Sequence, residues 1–423
     1  MESLSYLAII WGSVFAATFL SARTRLTPVL YFLAVGAVLV NTGILPVEGD
    51  PFIRGFADIG IIVIMFALGF EENSSHFVRA LKRSWGIAFF GGIVPFFAAY
   101  MLADYFWNDV NISLICGLAM ISTAVSLTMV SLKSEGLQTS PVARGIMTSA
   151  VIEDIASLVL VAIMIPVATG QAALSASGIG LIAGKTVLFF ALITVLGLWI
   201  FPHKMPDRTW RIPLLGHYGI RDVLSFGGGE QTTLILLLIA LLTGILAHEF
   251  GFHPAVGAYM AGLIFKEDYF HFLRNPDGDH YQNTKKIIDS VAFSWIGPVF
   301  FVNLGTKILF DWDIFVSVIP HVILMTLGLI VAQVSSSALA AYYTGSFKRV
   351  ESLMIGFGML GRAELAFVVM DIAYVQHDIL STEAFYTLMF TAFWLNVCVP
   401  LSIRFWKPYL LAEQQALTER TGP

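Results

Sequence analysis

Residues 315–344 read FVSVIPHVILMTLGLIVAQVSSSALAAYYT, an unbroken run without one Asp, Glu, Lys or Arg. A helix needs roughly 20 apolar residues to cross about 30 Å of hydrocarbon, and this run exceeds that. Working outward from it, twelve more apolar runs appear: 5–22, 27–45, 55–71, 85–103, 111–132, 144–167, 178–201, 231–248, 253–266, 287–307, 351–374 and 384–405. The composition agrees. Of 423 residues, 57% are apolar and only 13% charged, with a mean hydropathy of +0.79. No soluble fold of this size hides so much apolar surface behind so few charges. Nucleic-acid binders, disulfide scaffolds and ordinary cytosolic enzymes are therefore excluded. Open sheets are excluded because lipid leaves their edges unsatisfied, and barrels because the runs are continuous rather than alternating. The expected fold is an all-α membrane protein of about thirteen transmembrane helices.

Basic residues set the expected orientation. With thirteen spans, all but four of the 24 Lys and Arg fall on one side. The exceptions are Arg54 and Lys307 on the other side, Lys185 near the outer end of span seven, and Arg362 inside span twelve. Dropping one span would scramble this asymmetry. It puts the N-terminus outside and the C-terminus inside. The first apolar run lacks a basic leader and a small-residue cleavage site, so no cleavable signal peptide is expected. The net charge of −5 offers no basic domain for nucleic acid. Cys116 and Cys398 sit in apolar runs and form no zinc or redox pattern.

Two segments echo each other. Ile59-Gly60 followed by Met65-Phe66-Ala67-Leu68-Gly69 in span three resembles Ile296-Gly297 followed by Phe301-Val302-Asn303-Leu304-Gly305 in span ten. Gly117-Leu118-Ala119-Met120-Ile121 in span five resembles Gly356-Phe357-Gly358-Met359-Leu360 in span twelve. These echoes pair spans 1–6 with spans 8–13 and leave span seven as a linker. Span one starts outside and span eight inside, so the two six-span repeats are inverted. Inverted repeats build many secondary transporters, whose substrate sites lie near the midplane at broken helices.

The paired spans five and twelve also carry the polar interruptions. Span five contains Ser122-Thr123-Ala124-Val125-Ser126, span twelve Gly361-Arg362-Ala363-Glu364, and span six Glu153-Asp154. Asp154, Arg362 and Thr123 lie about ten to twelve residues from an end of their spans, on the order of 15–18 Å deep. Gln333 in span eleven is at a similar level. Charges at this depth are paired, hydrated or functional. Arg362 and Glu364 could form a purely structural ion pair. Glu153 and Asp154 point about 100° apart on a helix, with nothing basic in their own span. Arg362 could neutralise one; the other needs a cation or a proton. Taking a carboxyl out of water favours its neutral form, while its ionised form is a hard oxygen ligand for Na⁺, K⁺ or Li⁺. One such group holds either guest and never both. If the empty ionised site cannot cross, exchange is obligatory. Ser122 and Thr123 would add oxygen ligands.

These residues carry a family resemblance. Ser122-Thr123-Ala124-Val125-Ser126, Leu132-Lys133-Ser134-Glu135-Gly136 and Ile152-Glu153-Asp154-Ile155-Ala156 resemble the monovalent cation:proton antiporter-2 family, which includes bacterial Na⁺/H⁺ antiporters and glutathione-gated K⁺ efflux proteins. Gly257-Ala258-Tyr259-Met260-Ala261-Gly262 and Gly361-Arg362-Ala363-Glu364-Leu365-Ala366 match further elements of that family, in order along nearly the whole chain. The resemblance implies a sodium/proton antiporter-like fold with crossed discontinuous helices near Thr123 and Gly361. It implies a homodimer in the bacterial inner membrane and an elevator-like motion. Dimer scaffold would occupy 1–84 (spans 1–3) and 223–310 (spans 8–10). The transporting core would occupy 85–170 (spans 4–6) and 311–410 (spans 11–13). Residues 171–222 would hold linker span seven and a cytoplasmic loop, and 411–423 a short cytoplasmic tail. Asp154 would be the carboxylate shared by cation and proton, assisted by Glu153, Thr123 and Ser122, with Arg362, Glu364 and Gln333 as core support.

Two features depart from the family. The acidic pair is Glu-Asp where members commonly carry Asp-Asp, Asn-Asp or Gln-Asp, and Gln333 stands about where many carry Lys or Arg. The expectation from this is a Glu153 that stays protonated and hydrogen-bonded to Gln333, giving one-for-one electroneutral exchange. The sequence given stops soon after span thirteen, where the K⁺ efflux branch continues into a nucleotide-binding domain. Two alternatives remain: a channel-like K⁺ efflux protein, and a sodium-coupled symporter for an organic anion. No catalytic dyad or cofactor motif points to an enzyme. In His248-Glu249-Phe250-Gly251-Phe252-His253 the histidines are five apart, the wrong spacing for a zincin. Gly227-Gly228-Gly229 reads as a hinge, and Asp277-Gly278-Asp279 as a solvated turn without the rest of a calcium loop.

Overall fold

A computed structural model describes residues 2–24, 27–71, 77–168, 176–200, 223–265, 267–270, 279–362 and 364–421. The basic residues between Lys204 and Arg221, Lys266, Arg274, the Asp277-Gly278 turn and Ala363 lie outside the described residues. Among the described residues every regular element is helical. The first four helices are α1 (Glu2–Thr24), α2 (Pro28–Asn41), α3 (Pro51–Glu71) and α4 (Phe77–Trp107). Span five is two half-helices, α5 (Val110–Ala119) and α6 (Val125–Ser134). Then come α7 (Pro141–Ala168), α8 (Ala176–Ile200), α9 (Thr232–Glu249) and α10 (Pro254–Ile264). Span ten runs through α11 (His280–Ser290), a π-helical turn (Val291–Trp295) and α12 (Gly297–Gly305). Span eleven is α13 (Trp312–Tyr343). Span twelve is again broken, into α14 (Arg349–Gly358) and α15 (Glu364–Asp371), and span thirteen is α16 (Thr382–Thr421). Each of the thirteen expected spans thus falls on a helix or a broken helix.

Eight of these helical stretches are long and apolar enough to cross a bilayer unaided, among them Pro141–Ala168 and Trp312–Tyr343. Large apolar side chains such as Phe15, Val187 and Val331 face outward. In water such a surface would drive association, whereas in lipid it is the favoured face. The repeat is visible in the elements themselves. In each set of six spans the fifth is broken, and the fourth carries an internal proline, Pro95 in α4 and Pro320 in α13. Asp50, Asp109 and Asp311 cap the starts of α3, α5 and α13. A carboxylate there satisfies orphan amides and complements the positive helix end. At Asp50 the Ile53 amide and the Ser3 hydroxyl hold the carboxyl below its usual range.

The chain divides into two compact units. The first comprises 1–14, 48–75 and 172–303, the second 15–47, 76–171 and 304–423. In the first, α3 packs against α10, α9 and α11, and glycines line its crossing with α10. A methyl group on Gly262 would stand 2.4 Å from Phe66 O and 2.5 Å from Phe70 N, and one on Gly69 would stand 2.1 Å from Tyr259 O. The echoed glycines of spans three and ten also meet, with a Gly60 methyl placed 3.0 Å from Ile296 O. Small residues at such crossings let backbones approach closely, which drives helix association in lipid. Gly262→Val is therefore expected to remove most folded protein from the membrane, at a cost of about 3 kcal/mol or more from overpacking. Immunoblotting of detergent-extracted, monodisperse protein checks this. Recovery at the normal level would show that α3 and α10 can separate freely.

In the second unit, α13 packs against α4, α14 and α16, α7 lies against α4 and α5, and α5 contacts α15. Both breaks therefore lie inside this one unit.

Candidate ion site at the broken crossing

Breaking a helix in lipid frees backbone groups that must find partners. The two breaks, 120–124 in span five and 359–362 in span twelve, supply partners to each other. Ala124 N–H donates to Gly361 O at 2.9 Å, Thr128 Oγ1 donates to Gly358 O at 2.7 Å, and Thr123 Oγ1 lies 3.3 Å from Met359 O. The expected crossed discontinuous helices are present.

Arg362 completes span twelve's side of the crossing. Its side chain is fully buried. Nη1 donates to the carbonyls of Met359 (3.1 Å), Leu360 (3.3 Å) and Gly361 (2.9 Å), and Nη2 donates to Gln333 Oε1 at 2.6 Å. A planar guanidinium with five donors suits this task, and its charge opposes the negative end of α14. Glu364 opens α15, where a carboxylate meets the positive helix end.

The carboxylates come from α7. Glu153 is buried, with 1% of its surface exposed, whereas Asp154 is half-buried. Their separation of about 100° on the helix matches the two hydroxyls presented by the unwound part of span five. Ser122 Oγ donates to Asp154 Oδ1, and Thr123 Oγ1 donates to Glu153 Oε2 at 2.7 Å. Gly91 in α4 makes room for the inner carboxyl. A methyl there would stand 2.6 Å from Glu153 Oε1 and 2.9 Å from Ser337 Oγ. Among the described residues Glu153 Oε1 and Arg362 Nε have no hydrogen-bond partner.

All seven residues singled out from sequence thus lie in one unit, and hydrogen bonds link Ser122 to Asp154, Thr123 to Glu153 and Arg362 to Gln333. One detail differs from expectation. Gln333 does not bond Glu153. Its Oε1 accepts from Arg362, and its Nε2 donates to Gly91 O and Ser337 Oγ, both at 3.0 Å. With oxygen and nitrogen both engaged, the amide is held by the span-twelve break and by α4, and Thr123 takes the carboxyl instead. Sequence reading also missed Asn396 in α16, which bonds the backbone of Arg362 on both sides. A lone amide in the middle of an apolar span was its signal.

The chain matches the family model described as sodium/hydrogen exchanger, transmembrane, over residues 10–406. It belongs to the sodium/hydrogen exchanger family. It is 22% identical over 405 residues to a Na⁺/H⁺ antiporter of Enterococcus hirae, covering 96% of this chain and 98% of that one. To the Na⁺/H⁺-K⁺ antiporter GerN of Bacillus cereus it is 25% identical, with 87% of each chain covered. To the glutathione-regulated potassium-efflux protein KefC of Salmonella arizonae it is also 25% identical, but spans only 56% of that chain's length. Among solved structures, the sodium proton antiporter of Methanocaldococcus jannaschii shares the fold, with a TM-score of 0.68 over 95% of this chain and 98% of that one at 14% identity. The chain is accordingly a multi-pass membrane protein.

Proposed function

We propose that the protein is a secondary active antiporter in which Na⁺ or K⁺ and H⁺ compete for Asp154. The observation that carries this reading is the half-buried Asp154 paired with Ser122 at the crossing of two broken helices. Asp154 is less enclosed than its neighbour Glu153. Ionised, it offers hard oxygens beside the Ser122 hydroxyl, the kind of ligand set alkali cations take. Protonated, it has no charge with which to hold them. The relatives named as Na⁺/H⁺ and Na⁺/H⁺-K⁺ antiporters support the same reaction class. A Glu-Asp pair suits this exchange better than symport of an organic anion, and proton coupling distinguishes it from a channel-like K⁺ efflux path.

The remaining parts of the reading follow. Glu153, buried and held by Thr123, stays protonated while Asp154 cycles, so exchange is one for one. Spans 4–6 and 11–13 form the moving core, spans 1–3 and 8–10 the scaffold of a homodimer, and the core shifts in an elevator-like manner. The N-terminus lies outside and the C-terminus inside a bacterial inner membrane, as the basic residues argue.

The test is dequenching of a pH-sensitive dye in everted vesicles on adding Na⁺, K⁺ or Li⁺, with a vesicle-only control. A response to none of the three cations overturns the antiport reading. Within it, the two hydroxyls part company. Ser122→Ala removes a ligand beside the accessible carboxylate and is expected to raise the apparent cation KM about fivefold with little change in maximal rate, about 1 kcal/mol for one hydrogen bond. Thr123→Ala loosens the crossing and should chiefly lower the rate per molecule. The reverse pattern would move the cation to Thr123.

A further inference from the structure

The break in span twelve leaves backbone groups between Met359 and Arg362 that no helix satisfies, and five of them meet just two side chains. Three carbonyls, of Met359, Leu360 and Gly361, are taken by the Arg362 guanidinium. The other two belong to Arg362 itself, and a single side chain takes both. Asn396 Oδ1 accepts from Arg362 N–H at 2.9 Å, and Asn396 Nδ2 donates to Arg362 O at 2.6 Å. An amide is the side chain that can accept and donate in one plane, so it brackets a peptide as a strand neighbour would. Asn396 is itself fully buried in α16. A methyl on Gly361 would stand 3.2 Å from Asn396 Oδ1, 3.4 Å from Val399 Cγ2 and 3.0 Å from Ala124 Cβ, so the break is pressed from both span five and span thirteen.

We infer that Asn396 is a positioning residue of the ion site: by gripping the peptide groups of Arg362 it fixes where the guanidinium stands, and through it the charge balance beside Glu153 and Asp154. The chain of contacts is continuous. Asn396 holds the Arg362 backbone, and the Arg362 side chain holds Gln333. Gln333 holds Gly91 O and Ser337. Glu153 Oε1 faces the same Gly91. Shifting the bracketed peptide moves a buried positive charge relative to two carboxyls, and in a medium of low dielectric such a shift changes what a nearby cation or proton feels. A bond serving the fold alone has no such consequence.

The inference rests on the antiport reading, and the wild-type response in the same assay separates the two: a silent wild type defeats that reading, whereas this inference stands or falls on the variants. Asn396→Asp is nearly isosteric. It keeps the acceptor for Arg362 N–H, loses the donor to Arg362 O, and sets a carboxyl against that carbonyl. Asn396→Leu removes both bonds at similar size. Apparent cation KM, maximal rate per immunoblotted molecule, and the pH of half-maximal exchange are measured in vesicles for both. For Asn396→Asp the expected result is a KM changed about fivefold or more and a displaced pH profile, with the rate per molecule within about twofold of wild type. Asn396→Leu should move the same two quantities further. Unchanged KM and pH profile in both variants would overturn the assignment. So would loss of folded protein in both, since either result gives Asn396 a role in the fold alone.

Discussion

Asp154→Asn is expected to abolish cation-dependent proton movement while leaving the protein folded and in the membrane. The side chain keeps its size, and its carbonyl oxygen still accepts from the Ser122 hydroxyl that now meets Asp154 Oδ1. Folding therefore loses little. Chemistry loses everything the exchange needs. An amide neither binds nor releases a proton in the working pH range, so one of the two competing guests is gone. It also carries no charge, and a cation taken out of water without a counter-charge is strongly disfavoured, by about 3 kcal/mol or more, at least a hundredfold in apparent affinity. The dye signal in everted vesicles should fall to the vesicle-only background for Na⁺, K⁺ and Li⁺ alike, at wild-type protein level. Exchange at the wild-type rate would remove Asp154 from the centre of the mechanism and turn attention to Glu153.

Why this site could be read from sequence, and why only in part, is visible residue by residue. Hydrophobicity determines which segments enter lipid, so thirteen spans were legible from apolar runs alone. The breaks were legible too, because lipid tolerates irregular backbone only where something polar compensates, and Ser122-Thr123 and Gly361-Arg362 are polar interruptions in otherwise apolar runs. Glu153-Asp154 stood out for the same reason. Pairings were harder. A side chain's depth can be estimated from its distance to the end of a span, but its azimuth about the helix cannot be converted into a partner without knowing how helices are rotated against each other. Gln333 illustrates the gap. Its estimated depth pairs it with Glu153, whereas it turns toward Arg362, Gly91 and Ser337. Arg362 was expected to meet a carboxyl, and spends its terminal nitrogens on three carbonyls and Gln333. That choice follows from the break: three freed carbonyls lie within one turn of the guanidinium and are buried with it.

The same reasoning explains the glycines. Gly257 and Gly262 read as a family element, yet their physical task is contact. A methyl on Gly257 would stand 2.1 Å from Thr243 O, as one on Gly262 would crowd Phe66 O. Gly91 acts similarly beside the site, where its missing side chain is the room that Glu153 Oε1 occupies. Sequence alone marks such positions as small and does not say whether a backbone or a functional side chain fills the space.

Arg362→Ala is expected to be the most damaging substitution at the crossing for the fold itself. It deletes four hydrogen bonds and leaves the carbonyls of Met359, Leu360 and Gly361 and the oxygen of Gln333 without that donor. Hydrogen bonds from a charged donor contribute about 1.5–3 kcal/mol each, and a buried acceptor left unpaired costs a comparable amount. A total of several kcal/mol exceeds a large share of the stability of a typical domain, about 5–15 kcal/mol. Little folded protein should survive extraction. Arg362→Lys separates charge from geometry. An ammonium keeps the positive charge opposing the C-terminal end of α14, so folded protein should return to near the wild-type level. It has three donors on a flexible stem in place of a planar fork, so it cannot serve all four acceptors at once. Exchange per molecule should then fall about tenfold or more, measured by vesicle dequenching normalised to immunoblotted protein. Wild-type yield and exchange from Arg362→Ala would mean that the freed carbonyls of span twelve are satisfied by other groups and that the guanidinium does not hold the crossing together.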